Sequence, residues 1–276
     1  MASVQGKLVL HETIFDDWRS LTIGIYMALV GYAVMVGLPV ISTAWVSQLG
    51  FTEVEVGRVA GADLGGLAIG AVISAIFVAR VDRRYMTIGA AGLAIAANLL
   101  CIYFQTYEAT LWLRLMAGVG AGIYTGIAVA TIAGHSRPAF AFGLELFAFA
   151  ASQGAELKFL PYLTMNGIYL VLAGTFVMGL LFITWLPRRP AEKKLDVEVA
   201  IEEPDGGHHL EHQHVPAYVP WLVLLAIVFT YINIGAYWTY IELAAADSAA
   251  SPDWVASMLW ISSVFSVIGC LFAVLL

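Results

Sequence analysis

Apolar stretches of about twenty residues, each ended by a short polar or turn-forming segment, recur along this chain. They fall near residues 21–41, 57–79, 86–104, 110–133, 139–155, 166–186, 217–240 and 254–275. A helix needs roughly 20 apolar residues to cross a hydrocarbon core of about 30 Å, and only helices and closed barrels satisfy every backbone polar group without water. The pattern therefore predicts an all-α integral membrane protein, a polytopic bundle of about eight transmembrane helices. The fifth stretch is the most broken: Glu145 interrupts it, and Gln153, Glu156 and Lys158 crowd its end. The alternation of loop charges still requires it to cross.

The polar residues between the stretches divide the chain. Residues 1–20 form a hydrophilic N-terminus, residues 21–186 a unit of six spans, and residues 187–216 a linker rich in Pro, Gly and charge. Residues 217–276 hold two further spans. Lys and Arg are retained on the cytoplasmic face of a bilayer, so their distribution sets the orientation. With the N-terminus inside, ten of the 13 lie on cytoplasmic segments: Lys7, Arg19, Arg80, Arg83, Arg84, Arg137, Arg188, Arg189, Lys193 and Lys194. Arg58 and Lys158 lie near the outside, and Arg114 lies within a span. Trp45, Tyr103, Tyr107, Trp112, Trp185, Trp221 and Trp254 sit near span ends, where an aromatic belt belongs.

Composition removes the main competing class. Hydrophobic residues make up 61% of the chain and charged ones only 12%, and the mean hydropathy is +0.84. A water-soluble globule of 276 residues has too little interior for that surface. Met1 to Arg19 lacks the basic start, apolar middle and cleavage site of a secretory leader, so the first span is expected to be retained. Cys101 and Cys270 both fall in apolar runs and read as small hydrophobes. The net charge of -7 owes much to the linker. No basic footprint for nucleic acid is present.

Two local motifs carry a resemblance. After the second span, Ala75-Ile-Phe-Val-Ala-Arg80-Val-Asp82-Arg83-Arg84 can be laid on the pattern G-x-L-x-D-R-x-G-R-R, with Arg80, Arg83 and Arg84 matching and Ala75, Ala79 and Asp82 replacing the two glycines and the aspartate. In the fourth span, Arg114-Leu-Met-Ala117-Gly118, followed by Gly120 and Gly122, resembles an R-x-x-Q-G element with Ala117 at the glutamine. Together with six spans, a long inner loop and two more spans, these motifs resemble the major facilitator superfamily. The resemblance implies two six-span halves joined by a cytoplasmic loop, a gate loop at Arg80, Asp82, Arg83 and Arg84, and a link between the Arg114 element and proton coupling. The fifth span has no Gly-Pro pair, unlike the drug and proton antiporters of that family. A full member has about twelve spans, so the expectation is a chain truncated after the first two helices of its second half, with the missing C-terminal helices as its partner if it is a fragment.

Ionisable groups within spans cost a few kcal/mol each on insertion scales, so each is a site candidate. Asp63 and Arg114 lie roughly 6 to 9 Å below the starts of the second and fourth spans and could meet at one depth. Such a pair would either fix the helices together or present Arg114 to an anionic solute while Asp63 tunes it. Glu145 enters the fifth span from the cytoplasmic side, about 9 Å deep, where a poorly solvated carboxyl could take up and release a proton. Its other reading is a packing carboxyl bonded to a neighbour.

The resemblance places spans one, four and seven around a central cavity. Tyr26 and Tyr32 on the first and Asn233, Tyr237, Trp238 and Tyr240 on the seventh could then touch a solute, with interface anchoring as the alternative. Asn98 and Asn166 are weaker candidates. Glycines at intervals of four, Gly57, Gly61 and Gly65, Gly66 and Gly70, and Gly118, Gly122 and Gly126, read as close helix packing. The linker histidines His208, His209, His212 and His214 with Glu211 have the density of a metal site. A solvated loop is the simpler reading, and neither a resident metal nor any cofactor is expected.

The expected function is a secondary active transporter of the bacterial cytoplasmic (inner) membrane. It would move a small solute by alternating access, coupled to protons, with lipid as its surroundings and no nucleic-acid partner. No nucleotide motif suggests ATP as the energy source, and the Gly118 to Gly122 run follows no strand. Three alternatives stand beside it: a membrane-embedded enzyme, although no two spans pair the needed groups; a polytopic receptor or sensor, although the last two spans lack a Schiff-base lysine; and a remnant that no longer transports.

Overall fold

The computed structural model describes residues 14–188, 218–247 and 251–275. Lys7, Arg189, Lys193, Lys194 and the linker histidines lie outside the described residues. Every long element within them is an α-helix: α1 (Trp18–Leu49), α2 (Glu53–Phe77), α3 (Arg83–Tyr103), α4 (Tyr107–Ile132), α5 (Pro138–Phe159), α6 (Met165–Leu181), α7 (Val219–Asp247) and α8 (Pro252–Leu275). Four of them, α1 to α4, are both long and apolar enough to cross a membrane by length and hydropathy. The 17-residue α6 is apolar but spans only about 25 Å.

Polar side chains at the ends show why α1, α2, α3 and α6 begin where they do. Asp17 accepts from the Arg19 N–H at the start of α1, and Asp82 accepts from the Arg84 N–H at the start of α3. At α2, Thr52 and Glu55 form a reciprocal capping box, satisfying two donors that a helix N-terminus leaves open. Gly50 closes α1 with φ of 70°, a left-handed conformation that glycine adopts without strain. Most helices extend several residues beyond the apolar stretches, because caps, and not hydropathy, set the true termini.

Short loops make α1 to α6 successively antiparallel, and α7 ends at the face where α1 ends, because its Tyr240 reaches Glu53 at the start of α2. The even-numbered helices therefore start at the face where α1 ends; the odd-numbered ones start at the other. One buried cluster, including Leu38, Ile41, Trp45, Val56, Cys101, Met165 and Tyr169, fills the half of the bundle near the end of α1. A second, including Met27, Ala28, Ala94, Tyr124, Ile127 and Phe176, fills the half near its start. The first helix contributes to both and touches α4, α5, α6 and α7. Trp45 departs from the expected aromatic belt: it is fully buried and donates its indole N–H to the Tyr169 hydroxyl at 3.0 Å. Trp112, Tyr103 and Trp254 do lie exposed near helix ends.

The most extensive seam joins α2 to α4. A Cβ on Gly66 would meet the Leu115 carbonyl; one on Gly70, the Val119 carbonyl; one on Gly118, the Asp63 carbonyl; and one on Gly122, the Leu67 carbonyl. Gly126 faces Ser74 in the same row. The packing register differs from the expected one: Gly61 and Gly65 face open space, and their place in the seam is taken by Gly66 and Gly70. Two interleaved glycine rows share α2, and hydropathy cannot say which faces a neighbour. Gly122→Val is expected to push the backbones apart and destabilise the protein by about 1–3 kcal/mol. Gly61→Ala should change little. Thermal unfolding of the two purified variants in one detergent checks the contrast, and equal losses would show that the seam is misplaced.

Candidate functional site

The same faces that carry the glycine rows carry two charges. Asp63 lies three and seven residues before Gly66 and Gly70, and Arg114 lies four and eight before Gly118 and Gly122, so both acid and base project along the α2–α4 seam. There the Arg114 Nη2 reaches the Asp63 Oδ1 at 2.7 Å. Its Nη1 donates to the Asn98 Oδ1 on α3 at 2.8 Å, and the Asn98 amide in turn donates to the Ala94 carbonyl at 2.8 Å. All three residues are 2% exposed. Counted along the helices, Asp63 lies about 15 Å from the start of α2 and Arg114 about 10 Å from that of α4. Both are deeper than the apolar stretches suggested, because the helices start earlier.

Aromatic residues wall the site. The Arg114 guanidinium lies 6.0 Å from the centre of the Tyr169 ring on α6, close enough for a cation–π attraction. The Tyr169 hydroxyl is held by Trp45 of α1. Side chains of α2, α3 and α6 thus converge on one guanidinium of α4, while its Nε remains without a partner. The arrangement can hold a positive charge in an apolar bundle, and the carboxylate is the group whose loss of charge would release it.

The remaining candidates are scattered. Glu145 is buried on α5, 8% exposed, and makes no hydrogen bond or ion pair with the described residues. Tyr26 gives its hydroxyl to the Thr175 carbonyl on α6 at 2.8 Å, so it serves the α1–α6 contact. The Tyr32 ring meets Phe149 of α5 edge-on. On α7, Trp238 donates to the Val36 carbonyl of α1 at 3.2 Å and Tyr240 to the Glu53 carbonyl of α2 at 3.0 Å. Asn233 is exposed, and Tyr237 is 66% exposed. Asn166 accepts from Gln105 at 2.7 Å near the end of α3. An apolar cleft of about 430 Å³ between α5 and α8, lined by Ala150, Gly154, Lys158, Trp260, Ser263 and Val264, contains none of these residues.

The loop after α2 is tied down at the opposite face from Glu53. Arg83 is buried, donates to the Thr131 hydroxyl at the end of α4 at 3.2 Å and lies over the Phe15 ring at 5.0 Å. Arg84 donates to the Leu186 carbonyl at 2.7 Å and to that of Thr184. Asp82 caps α3, whereas Arg80 is exposed. Two arginines therefore bind the start of α3 to the ends of α4 and α6.

A comparison with protein families decides what this architecture is. The model of the Major Facilitator Superfamily matches residues 19–276, which is most of the chain. This chain belongs to the major facilitator superfamily. It is accordingly a multi-pass membrane protein and a membrane transporter of the major facilitator kind. No curated protein and no solved structure matches it.

In this major facilitator chain the buried pair is held together by two different needs. Truncating one partner strands a charge in the bundle, at about 3–5 kcal/mol, whereas removing both charges is far less damaging. Asp63→Ala and Arg114→Ala are each expected to lower thermal stability strongly, and Asp63→Asn with Arg114→Gln together by less than the sum of the corresponding single changes. Arg114→Lys should not restore the parent, because one ammonium cannot span Asp63 and Asn98 as a planar fork does. A double-mutant cycle on detergent-solubilised protein measures the coupling, and additive losses would mean that the pair is not energetically linked.

Proposed function

We propose that this protein is a secondary active transporter that moves a small solute across the bacterial cytoplasmic membrane by alternating access, coupled to protons. The observation that carries this reading is the Arg114–Asp63–Asn98 network, sealed among apolar helices. A charge pair in such a place costs more than a hydrophobic replacement, so stability alone is a poor reason for it. Neutralising Asp63 by a proton, or offering Arg114 a solute anion, would weaken the tie between α2 and α4. Both events alter the same bond, and that is the requirement for coupling.

The proposed domain plan supports rocking of one unit against another, residues 21–186 forming the first and residues 217–276 belonging to the second. Glycine seams without side-chain knobs, such as that between α2 and α4, let backbones slide at small steric cost. Arg83 and Arg84 would hold the cytoplasmic end of the first unit as one body, and Glu145 would exchange protons on that side. A cytoplasmic N-terminus is supported by the sharing of one face by Arg19, Arg80, Arg83, Arg84, Arg137 and Arg188, with Arg58 and Lys158 at the other.

A second reading has its own support. Arg114 is closed off from solvent and already paired, as a static clasp between three helices would be. Flux separates the two. The whole chain, reconstituted in proteoliposomes, should accumulate a solute from a panel of radiolabelled carboxylates, sugars and amines only when a pH gradient is imposed. Asp63→Asn, if it still folds, should lose gradient-driven accumulation by tenfold or more while retaining exchange. Absence of gradient-dependent flux for every solute tested would leave the clasp.

A further inference from the structure

Two carboxyls on α5 share one face. Glu145 and Glu156 are eleven residues apart, three turns of helix and about 16 Å, and so they point almost the same way. Ser152 and Phe149 lie between them, and this stripe is turned toward α1: Phe149 meets Tyr32, and the Glu156 Oε2 lies 3.1 Å from where a Cβ on Gly37 would sit. Leu160 also borders Gly37. That Oε2 is closed off from solvent and has no hydrogen-bond partner. Glu242 on α7 shares this condition.

Glu156 is half-buried, and its closed-off Oε2 meets no donor that would hold a negative charge. Among the described residues no Lys or Arg forms an ion pair with it. From α1 the residues beside it are Gly37 and, a turn away, Tyr32. From α8 the polar neighbours of this part of α5 are Ser263 and the Trp260 indole, and the turn that follows α5 carries Tyr162, which is exposed. Contact with α4 is slight, and Glu242 is carried by α7, which packs on α1. On α5 itself the other charged groups are Glu145 and Lys158, the latter exposed at the α8 cleft. One orphan oxygen among hydrocarbon cannot replace the hydration shell of a metal cation, which leaves a proton as the ligand.

On α1 the point of contact is weak by construction. Pro39, two residues after Gly37, has no N–H for the Met35 carbonyl, so a backbone hydrogen bond is missing beside the carboxyl. We infer that Glu156 is a proton-binding residue on the α1–α5 seam: the neutral acid keeps α5 seated on Gly37, and release of its proton to water opens the seam at the face where α1 ends. With no donor at Oε2 while α5 sits on Gly37, the seated state binds the proton. It must persist at low pH and give way as pH rises. The inference deepens the proton-coupled reading by naming an outer proton group, and it rests on that reading for its purpose but not for its test.

The test measures the seam directly. Spin labels at Ser47→Cys and Tyr162→Cys, in the whole chain with Cys101→Ala and Cys270→Ala, report the α1–α5 separation by electron paramagnetic resonance across a pH series. The labelled parent should shift toward longer separations as pH rises. Glu156→Gln, a neutral isostere, should stay in the short population at every pH, and Glu108→Gln should follow the parent. Gly37→Ala, which crowds the carboxyl without removing it, should open at lower pH than the parent, a second readout if Glu156→Gln folds poorly. A parent with no pH-dependent change, a Glu156→Gln protein that still opens, or a transition removed by Glu242→Gln instead would each overturn the assignment. Flux on the same samples separates the two readings: loss of transport with the transition intact removes proton-coupled transport and leaves the Glu156 site standing.

Discussion

A guanidinium enclosed in an apolar bundle needs a carboxylate at hydrogen-bonding distance, and the positions of α2, α3 and α4 follow from that need. Arg114 can meet Asp63 and Asn98 together only if three backbones approach closely at one depth. The glycines permit the approach. With Gly66, Gly70, Gly118 and Gly122 lacking side chains, α2 and α4 run backbone to backbone, and the charges meet along the resulting seam. Ala90 and Ala94 do the same for α3, where they border Gly120.

The two ends of the bundle are then secured by different chemistry. Near the end of α1, Tyr169 faces Arg114 and is held by Trp45, and the Phe51–Tyr107 ring pair packs nearer the helix ends. At the opposite face Arg83 and Arg84 bond to hydroxyl and carbonyl oxygens of α4 and of the segment after α6. Between these layers α1 is the shared surface. Its contacts with α5 and α7 are lighter than the α2–α4 seam, and its backbone is interrupted at Pro39. A molecule built this way packs α2, α3 and α4 closely on one side and α1 less closely against α5 and α7 on the other.

Much of the architecture was legible in the sequence because a bilayer imposes a coarse and unambiguous pattern. Apolar runs announced the helices, and glycine spacing announced close packing. Asp63 and Arg114 stood out because charges within apolar runs are rare. What stayed hidden depended on rotation about the helix axis. Gly61 and Gly66 are indistinguishable in hydropathy, yet one faces open space and the other the Leu115 carbonyl. Trp45 resembled an interface anchor by position, but its burial depends on which way α1 turns. Asn98 was undervalued because a single amide in an alanine-rich run gives no periodic signal, although a neutral acceptor is well suited to sharing a guanidinium. Glu156 read as the polar end of a broken span, because where α5 ends depends on local capping and turn chemistry and not on hydropathy alone.

On the proposed reading the Arg114–Asp63 bond is a working part of the transporter and not only a clasp. Exchanging the two residues, Asp63→Arg with Arg114→Asp, keeps the charge pair but moves the cation to another helix and away from Asn98 and Tyr169. Thermal stability and gradient-driven uptake of the solute carried by the parent are measured together in this one variant. A stable, monodisperse protein with uptake reduced at least a hundredfold is the expected result. Uptake equal to that of the parent would contradict it, since the pair would then matter only as a pair.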